Sequence, residues 1–208
     1  MLVVGLTGNI ASGKSTVAAA LVARGAPLID SDAASRAAVA PGTAALSAIA
    51  ARFGRDVLLP DGALDRARLG ALVFSDPSAR TALEQIVHPI VEVARQTALA
   101  DARAHGAPIV VCDIPLLFEA GLAWQFPRIL LVDAPASLRT TRLVEGRGLS
   151  GTDAAARVAA QLPSSLKRGR ADIVIDNDDS RAALDVRIDT LWQRLERWAA
   201  VAEWHGRV

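Results

Sequence analysis

The run Gly8-Asn9-Ile10-Ala11-Ser12-Gly13-Lys14-Ser15-Thr16 limits what this chain can fold into more than any other stretch. It contains the spacing G-x-x-x-x-G-K-[ST], and its flanks suit that spacing. Leu2-Val3-Val4-Gly5-Leu6 before it has strand character. Ser15 to Arg24 after it has helix-forming composition and stops at Gly25. Strand, glycine loop and helix together make a phosphate nest. Gly8 and Gly13 let backbone N–H groups close on phosphate oxygens, and the helix start adds unpaired donors and the positive end of its dipole. Lys14 then reaches the β- and γ-phosphates, and the Ser15 hydroxyl ligates Mg²⁺. A Gly/Ser turn ahead of an ordinary helix would not need this complete pattern, so the chain is expected to bind a nucleoside triphosphate.

The bulk properties narrow the class. A chain of 208 residues makes one domain, or one core carrying insertions. Half the residues are apolar, but many are alanine, and no apolar run approaches the ~20 residues of a membrane-spanning helix. The N-terminus has no basic stretch ahead of its apolar start, so no signal peptide is expected. The single cysteine, Cys112, excludes an intramolecular disulfide and suits a reducing, cytoplasmic setting. It sits in an apolar run, where a small core residue is expected rather than a nucleophile. A net charge of +1 gives no electrostatic case for binding nucleic acid.

Five strands can be read from the pattern. After the first, Pro27-Leu28-Ile29-Asp30, Ile109 to Asp113, Arg128 to Asp133 and Asp172 to Asn177 follow, and the third and fourth are continuous apolar runs of the kind buried on both faces of a parallel sheet. An Ala-rich stretch from residue 33 to about 105 reads mostly as helix, punctuated by Pro41-Gly42, Pro60-Asp61-Gly62 and His88-Pro89. It is longer than a strand crossover needs and is a candidate substrate-binding insertion. Helices are expected from Ser137 to Glu145, then to about Gln161, and from Arg181 to about Ala202. In the last, Leu184, Ile188, Leu191, Leu195 and Trp198 recur at helical spacing and predict a face packed on the sheet. The fold class expected is α/β: five parallel strands flanked by helices, doubly wound, with ligands gathered at the carboxyl ends of the strands.

Asp30, Asp32, Asp113 and Asp133 lie at or just past those ends. A small-molecule kinase needs a group to take the acceptor proton, and Asp32 is the candidate. Asp30-Ser31-Asp32 also suits a helix cap. Asp113 could hold Mg²⁺ through water or cap a helix before Pro115. Arg139, Arg142, Arg147 and Arg157 are candidate cations over the phosphoryl group, with solvated surface arginines as the alternative. Their segment is placed to act as a lid.

Longer motifs carry a resemblance. Thr7-Gly8-Asn9-Ile10-Ala11-Ser12-Gly13-Lys14-Ser15, Asp30-Ser31-Asp32, His88-Pro89, Pro115-Leu116-Leu117-Phe118-Glu119, Gln161-Leu162-Pro163, Lys167 and Ala171 to Asn177 stand in this order. With them the chain resembles the dephospho-coenzyme A kinase family nearly end to end. The resemblance implies a P-loop NTPase fold and ATP-dependent phosphorylation of the ribose 3′-hydroxyl of dephospho-coenzyme A, with Mg²⁺. It implies a nucleotide core (1–32, 105–136, 171–208), a helical substrate insertion (33–104) and a lid (137–170). Asp32 is implied as the base, with Lys14 and Arg142 acting on the phosphates. Gly8, Ala11, Ser12, Gly13, Lys14, Ser15 and Thr16 are implied to cradle the nucleotide, with Asn177 beside the adenine. His88, Pro115, Leu116, Phe118 and Glu119 are implied to line the acceptor site, although His88 before a proline also suits a hinge.

The chain departs from the family pattern at Asn9 and Ala11, where glycines are common, at Leu166, where an acidic residue is usual, and at Gly148, where aspartate is frequent. Both loop substitutions are tolerable if those positions keep negative φ. Other kinases of this fold, such as shikimate kinases, lack the Pro115–Glu119 segment and the long insertion. A guanine-specific N-K-x-D motif is absent, against a GTP-binding switch.

Overall fold

The computed structural model describes residues 1–205. One sheet contains β1 (Leu2–Gly8), β2 (Leu28–Asp30), β3 (Ile109–Asp113), β4 (Arg128–Asp133) and β5 (Ile173–Asp176), in the order β2-β3-β1-β4-β5. β1 pairs in parallel with β3 and with β4, and β4 in parallel with β5. The central strand is therefore the one that feeds the glycine loop. The registers bring the carboxyl ends of its neighbours level with it: Leu6 stands beside Asp113, Gly8 beside Val132, and Asp133 beside Asp176.

The apolar runs in β3 and β4 are buried on both faces, as their composition predicts. Cys112 is a fully buried residue of β3. On one face, α1 (Lys14–Ala23) contributes Val17 and Leu21, and α9 (Arg181–His205) contributes Leu184, Ile188, Leu191 and Leu195, to a core with Val4, Leu6, Val111, Leu130 and Val132. The i, i+4, i+7 spacing in α9 is what puts these side chains on one stripe. Between β4 and β5 the chain forms α6 (Ala136–Arg147), α7 (Gly151–Ala159) and α8 (Ser164–Arg168). Gly148 ends α6 at φ +65, with Gly148 N–H bonded to Val144 O and Leu149 N–H to Leu143 O. That left-handed cap explains a glycine here in place of aspartate.

The chain divides into two compact units. Met1–Ile29 with the chain from Asp101 onward carries the sheet, and Asp30–Ala100 forms the other. The second is built from α2 (Ser31–Ala38), α3 (Ala44–Phe53), α4 (Arg66–Ser75) and most of α5 (Pro77–Ala104). Its core is Ala45, Ile49, Val57 and Leu69, with Leu83, Ile86 and Val87 of α5 packed against it. Two of the three expected interruptions are turns. Gly42, at φ +85, lies between α2 and α3, and Thr43 caps α3 through Leu46 N–H. Pro60-Asp61-Gly62 closes a tight loop in which Leu59 N–H meets Ala63 O at 2.8 Å.

The third interruption is not observed. α5 runs unbroken through His88-Pro89. A mid-helix proline removes one hydrogen bond and costs about 3 kcal/mol. The helix persists because it is held on both sides of the proline, by Leu83, Ile86 and Val87 before it and by buried Leu99 and Ala102 after it. Among the described residues no helix is long and apolar enough to cross a membrane.

Candidate active site

The glycine loop turns from β1 into α1. Gly13 is the N-cap of α1 at φ +92, and no side chain caps the helix. The first N–H groups of α1 are thus left for an anion, which is the arrangement the sequence pattern demands. Gly8 is fixed by crowding: a Cβ there would lie 2.6 Å from Ser12 Oγ and 2.7 Å from Val132 O. Asn9 meets the condition of a negative φ, and Ala11 does not. Ala11 has φ +59 and is, among the described residues, the one non-glycine residue in the left-handed region. The loop needs a left-handed residue at that point, and alanine accepts it at some strain.

The Lys14 ammonium pairs with the Asp113 carboxylate at the end of β3, and both side chains are largely covered. Residues 115–120 after β3 form turns, so Asp113 has no helix there to cap. Ser15 is exposed on the first turn of α1.

The four arginines do not converge. Arg142 reaches the loop, its Nη1 donating to Ala11 O at 3.3 Å and its Nη2 to Asn177 O at 2.9 Å. Arg139 is 4 % exposed and donates Nε–H to Ala134 O at 3.0 Å. Burial pulls its guanidinium below the ordinary value, and the nearby Asp133 charge opposes this. Arg147 and Arg157 are exposed.

Asn177 follows β5 and is buried. Its Nδ2 donates to Ser12 O at 2.7 Å, and its backbone N–H to Asp133 O at 2.7 Å. It therefore braces the loop from behind. The segment Gln161–Lys167 holds the loop from another side. Gln161 Oε1 accepts Ile10 N–H at 2.7 Å, and Asn9 Nδ2 donates to Ser164 Oγ at 3.1 Å. Ser164 in turn donates to Asp133 Oδ1 at 2.8 Å. Arg168 bridges the paired strand ends, contacting Asp133 Oδ2 at 3.0 Å and Asp176 Oδ1 at 2.5 Å. The hydrogen bonds to Asp176 and Asp133 hold its guanidinium further toward the charged form. These residues form a cavity of about 860 Å³ with α6 and α7, lined by Asp133, Arg139, Arg168, Asp176 and Asp178, where opposite charges largely neutralise one another. Sequence reasoning did not assign Gln161, Ser164, Asp133 or Arg168 a role. The signals available were the place of Asp133 at a strand end and the Q-x-P…K motif, which has no chemical reading until the loop contact is seen.

The Pro115–Glu119 segment is tied to β1 by Thr7 Oγ1, which donates to Pro115 O at 3.1 Å. Leu116 is 48 % exposed, whereas Phe118 is 6 % exposed and turned into the core. Glu119 pairs with the fully buried Lys167 at 2.6 Å and accepts Leu162 N–H at 3.3 Å. In the helical unit, Asp30 is the N-cap of α2, accepting Ala33 N–H at 2.9 Å, and Asp32 is exposed on the first turn without serving as the cap. His88 is exposed on α5.

The model of the dephospho-CoA kinase family matches residues 2–183. A dephospho-CoA kinase of Anaeromyxobacter dehalogenans is 51 % identical over 191 residues, covering 92 % of this chain and 90 % of that protein. One of Thermobifida fusca is 46 % identical over 197 residues, covering 95 % and 98 %. The crystal structure of TT1252 from Thermus thermophilus superposes with a TM-score of 0.79 at 38 % identity, covering 93 % of this chain and 97 % of that one. A central phosphate nest on a five-stranded sheet, with the family's pattern along nearly its whole length, makes this chain a member of the dephospho-CoA kinase family.

Proposed function

We propose that this protein transfers the γ-phosphoryl group of ATP to the ribose 3′-hydroxyl of dephospho-coenzyme A, giving coenzyme A and ADP. The observation that carries the reading is the nest at Gly8–Thr16, whose α1 start is uncapped and whose lysine waits at its mouth. ATP supplies the phosphates that the α1 N–H groups bind. Lys14 exchanges Asp113 for the β- and γ-phosphate oxygens. The acceptor oxygen attacks the γ-phosphorus, the bond to the β-phosphate oxygen breaks, and ADP leaves. Asp32 takes the hydroxyl proton, which its exposed carboxylate is chemically able to do. Arg142, already at the loop, moves its donors to the transferring group.

Magnesium suits this site. The exposed Ser15 hydroxyl is a hard oxygen donor on the first turn of α1, and Mg²⁺ binds nucleotides through few protein ligands and several waters. The ion would neutralise charge on the β- and γ-phosphates. Residues 33–104 would hold the acceptor, with His88 among its contacts, and Pro115 and Leu116 are further proposed acceptor contacts. Residues 137–170 would act as the lid. The reaction would run in the cytoplasm, without nucleic acid.

The test is ADP release with dephospho-coenzyme A, shikimate and nucleoside monophosphates offered in parallel. Turnover with dephospho-coenzyme A, and a product whose phosphorus NMR signal sits on the ribose 3′-oxygen, is the expected result. Turnover with another acceptor alone would replace the reading.

A further inference from the structure

Glu119 belongs to the segment that the family resemblance assigns to the acceptor, yet its carboxylate, on an exposed residue, is already engaged by the protein's own groups. It pairs with Lys167 Nζ at 2.6 Å and accepts Leu162 N–H at 3.3 Å. Lys167 has no exposed surface, and its Nζ makes no hydrogen bond, so the ion pair with Glu119 is what compensates its charge. A buried ammonium depends on its counter-ion, because the Coulomb term is what offsets its lost hydration. Glu119 is therefore the group that keeps Lys167, and α8 with it, in place. The same short stretch carries Gln161 to Ile10 N–H, and Ser164 to Asn9. One carboxylate at the end of the Pro115–Glu119 segment thus fastens the strap that grips the phosphate loop.

We infer that Glu119 and Lys167 are a positioning pair: they hold the Gln161–Ser164 strap against the phosphate loop, and Glu119 does not bind the acceptor. This deepens the phosphoryl-transfer reading and rests on it. The geometry of the loop relative to the attacking oxygen matters steeply, since a displacement near 1 Å can lower a rate ~10²-fold. Loosening the strap should act on the transfer step and on nucleotide binding, while acceptor affinity stays.

The experiment compares wild type with Glu119→Gln, Lys167→Met and the double variant. Glu119→Gln keeps an acceptor for Leu162 N–H. The double variant leaves no uncompensated buried charge, so it should fold even where Glu119→Gln alone, which strands the buried Lys167 ammonium, does not. The expected result is that kcat falls about tenfold in each, that the losses do not add in the double variant, and that KM for dephospho-coenzyme A stays within about twofold. A rise of about tenfold in that KM with kcat retained in Glu119→Gln would make Glu119 an acceptor ligand and overturn the inference. Recovery of both melting temperature and kcat in the double variant would reduce the pair to a structural one and overturn it equally. A fluorescent ATP analogue supplies a readout that needs no acceptor. It should bind more weakly in all three variants, and unchanged binding would count against the strap. If wild type leaves dephospho-coenzyme A unphosphorylated, the activity reading fails, and the analogue titration still decides the pair.

Discussion

Asn177 occupies the space that a side chain on Gly13 would need: its Nδ2 lies 2.0 Å from where a Gly13 Cβ would stand. The same Nδ2 donates to Ser12 O at 2.7 Å. The glycine is thus required twice, for φ +92 and for the close approach of the β5 loop to the nest.

Gly13→Ala should abolish nucleotide binding and lower the melting temperature. Asn177→Ala should fold, losing about 1 kcal/mol with the hydrogen bond to Ser12 O. Asn177→Gly placed in the Gly13→Ala background should recover part of the lost stability, because the clash is gone while the left-handed strain remains. Thermal unfolding and nucleotide titration measure both effects. Equal stability of Gly13→Ala and the double variant would show that space is not what the glycine supplies.

The Gly13–Asn177 contact marks where sequence reading reaches its limit. The glycine was legible, because its spacing to Lys14 has one known use. The five strands were legible too, because burial on both faces forces continuous apolar runs, and β3 and β4 fall where composition put them. Turn chemistry located Pro41-Gly42 and Pro60-Asp61-Gly62. It failed at His88-Pro89, where packing on either side of the proline outweighs a local penalty. It failed also at Ala11, where the loop imposes a left-handed backbone that no alanine announces. The residues of the brace and the strap stand in the motifs, but the contacts they make were not legible. Asn177 to Ser12 and Gln161 to Ile10 span 165 and 151 residues, and no periodicity reports a contact at that range. The four arginines could not be told apart for the same reason. Arg139 turns inward to Ala134 O while Arg142, three residues on, reaches the loop.

Asp30 and Asp32 should separate cleanly. Asp30 caps α2, so Asp30→Ala should lower stability by about 1 kcal/mol. Asp32 is exposed and does not cap the helix, so Asp32→Asn should leave stability within about 0.5 kcal/mol. Its rate should fall at least ~10²-fold with ATP binding retained, as removal of a general base requires. Chemical denaturation and steady-state kinetics of the two variants give the comparison. An unchanged rate in Asp32→Asn would assign proton transfer elsewhere.

Ala11 holds φ +59, a conformation that costs an L-residue about 1–2 kcal/mol. Ala11→Gly should relieve that strain but widen the unfolded ensemble, for a net gain of at most about 1 kcal/mol. The melting temperature should rise slightly and the nucleotide affinity should hold. A fall in melting temperature would mean that contacts of the Ala11 methyl outweigh its backbone strain.

Lys14 and Asp113 form the ion pair at the mouth of the nest. Lys14→Ala removes the main cation for the β- and γ-phosphates, and turnover should drop to background in an ADP-release assay while the protein remains folded by circular dichroism. The variant also leaves the Asp113 carboxylate without its ammonium, so its affinity for ATP should fall further by charge repulsion. Near-normal turnover would remove the loop from the mechanism.

Arg142 differs from Lys14 in how it is held. Its guanidinium bonds to Ala11 O and Asn177 O, so it joins the loop to its brace before any ligand arrives. Arg142→Ala should therefore lower kcat by about 10²–10³-fold, the loss typical of a donor aimed at developing charge, with KM for the acceptor within about threefold. Arg142→Lys should not rescue fully, because an ammonium cannot span the two carbonyls with the fixed fork of a guanidinium. Measuring both constants with each substrate varied in turn resolves the assignment. If KM for the acceptor rises while kcat is kept, Arg142 belongs to acceptor binding, and the charge on the transferring group is met by another residue.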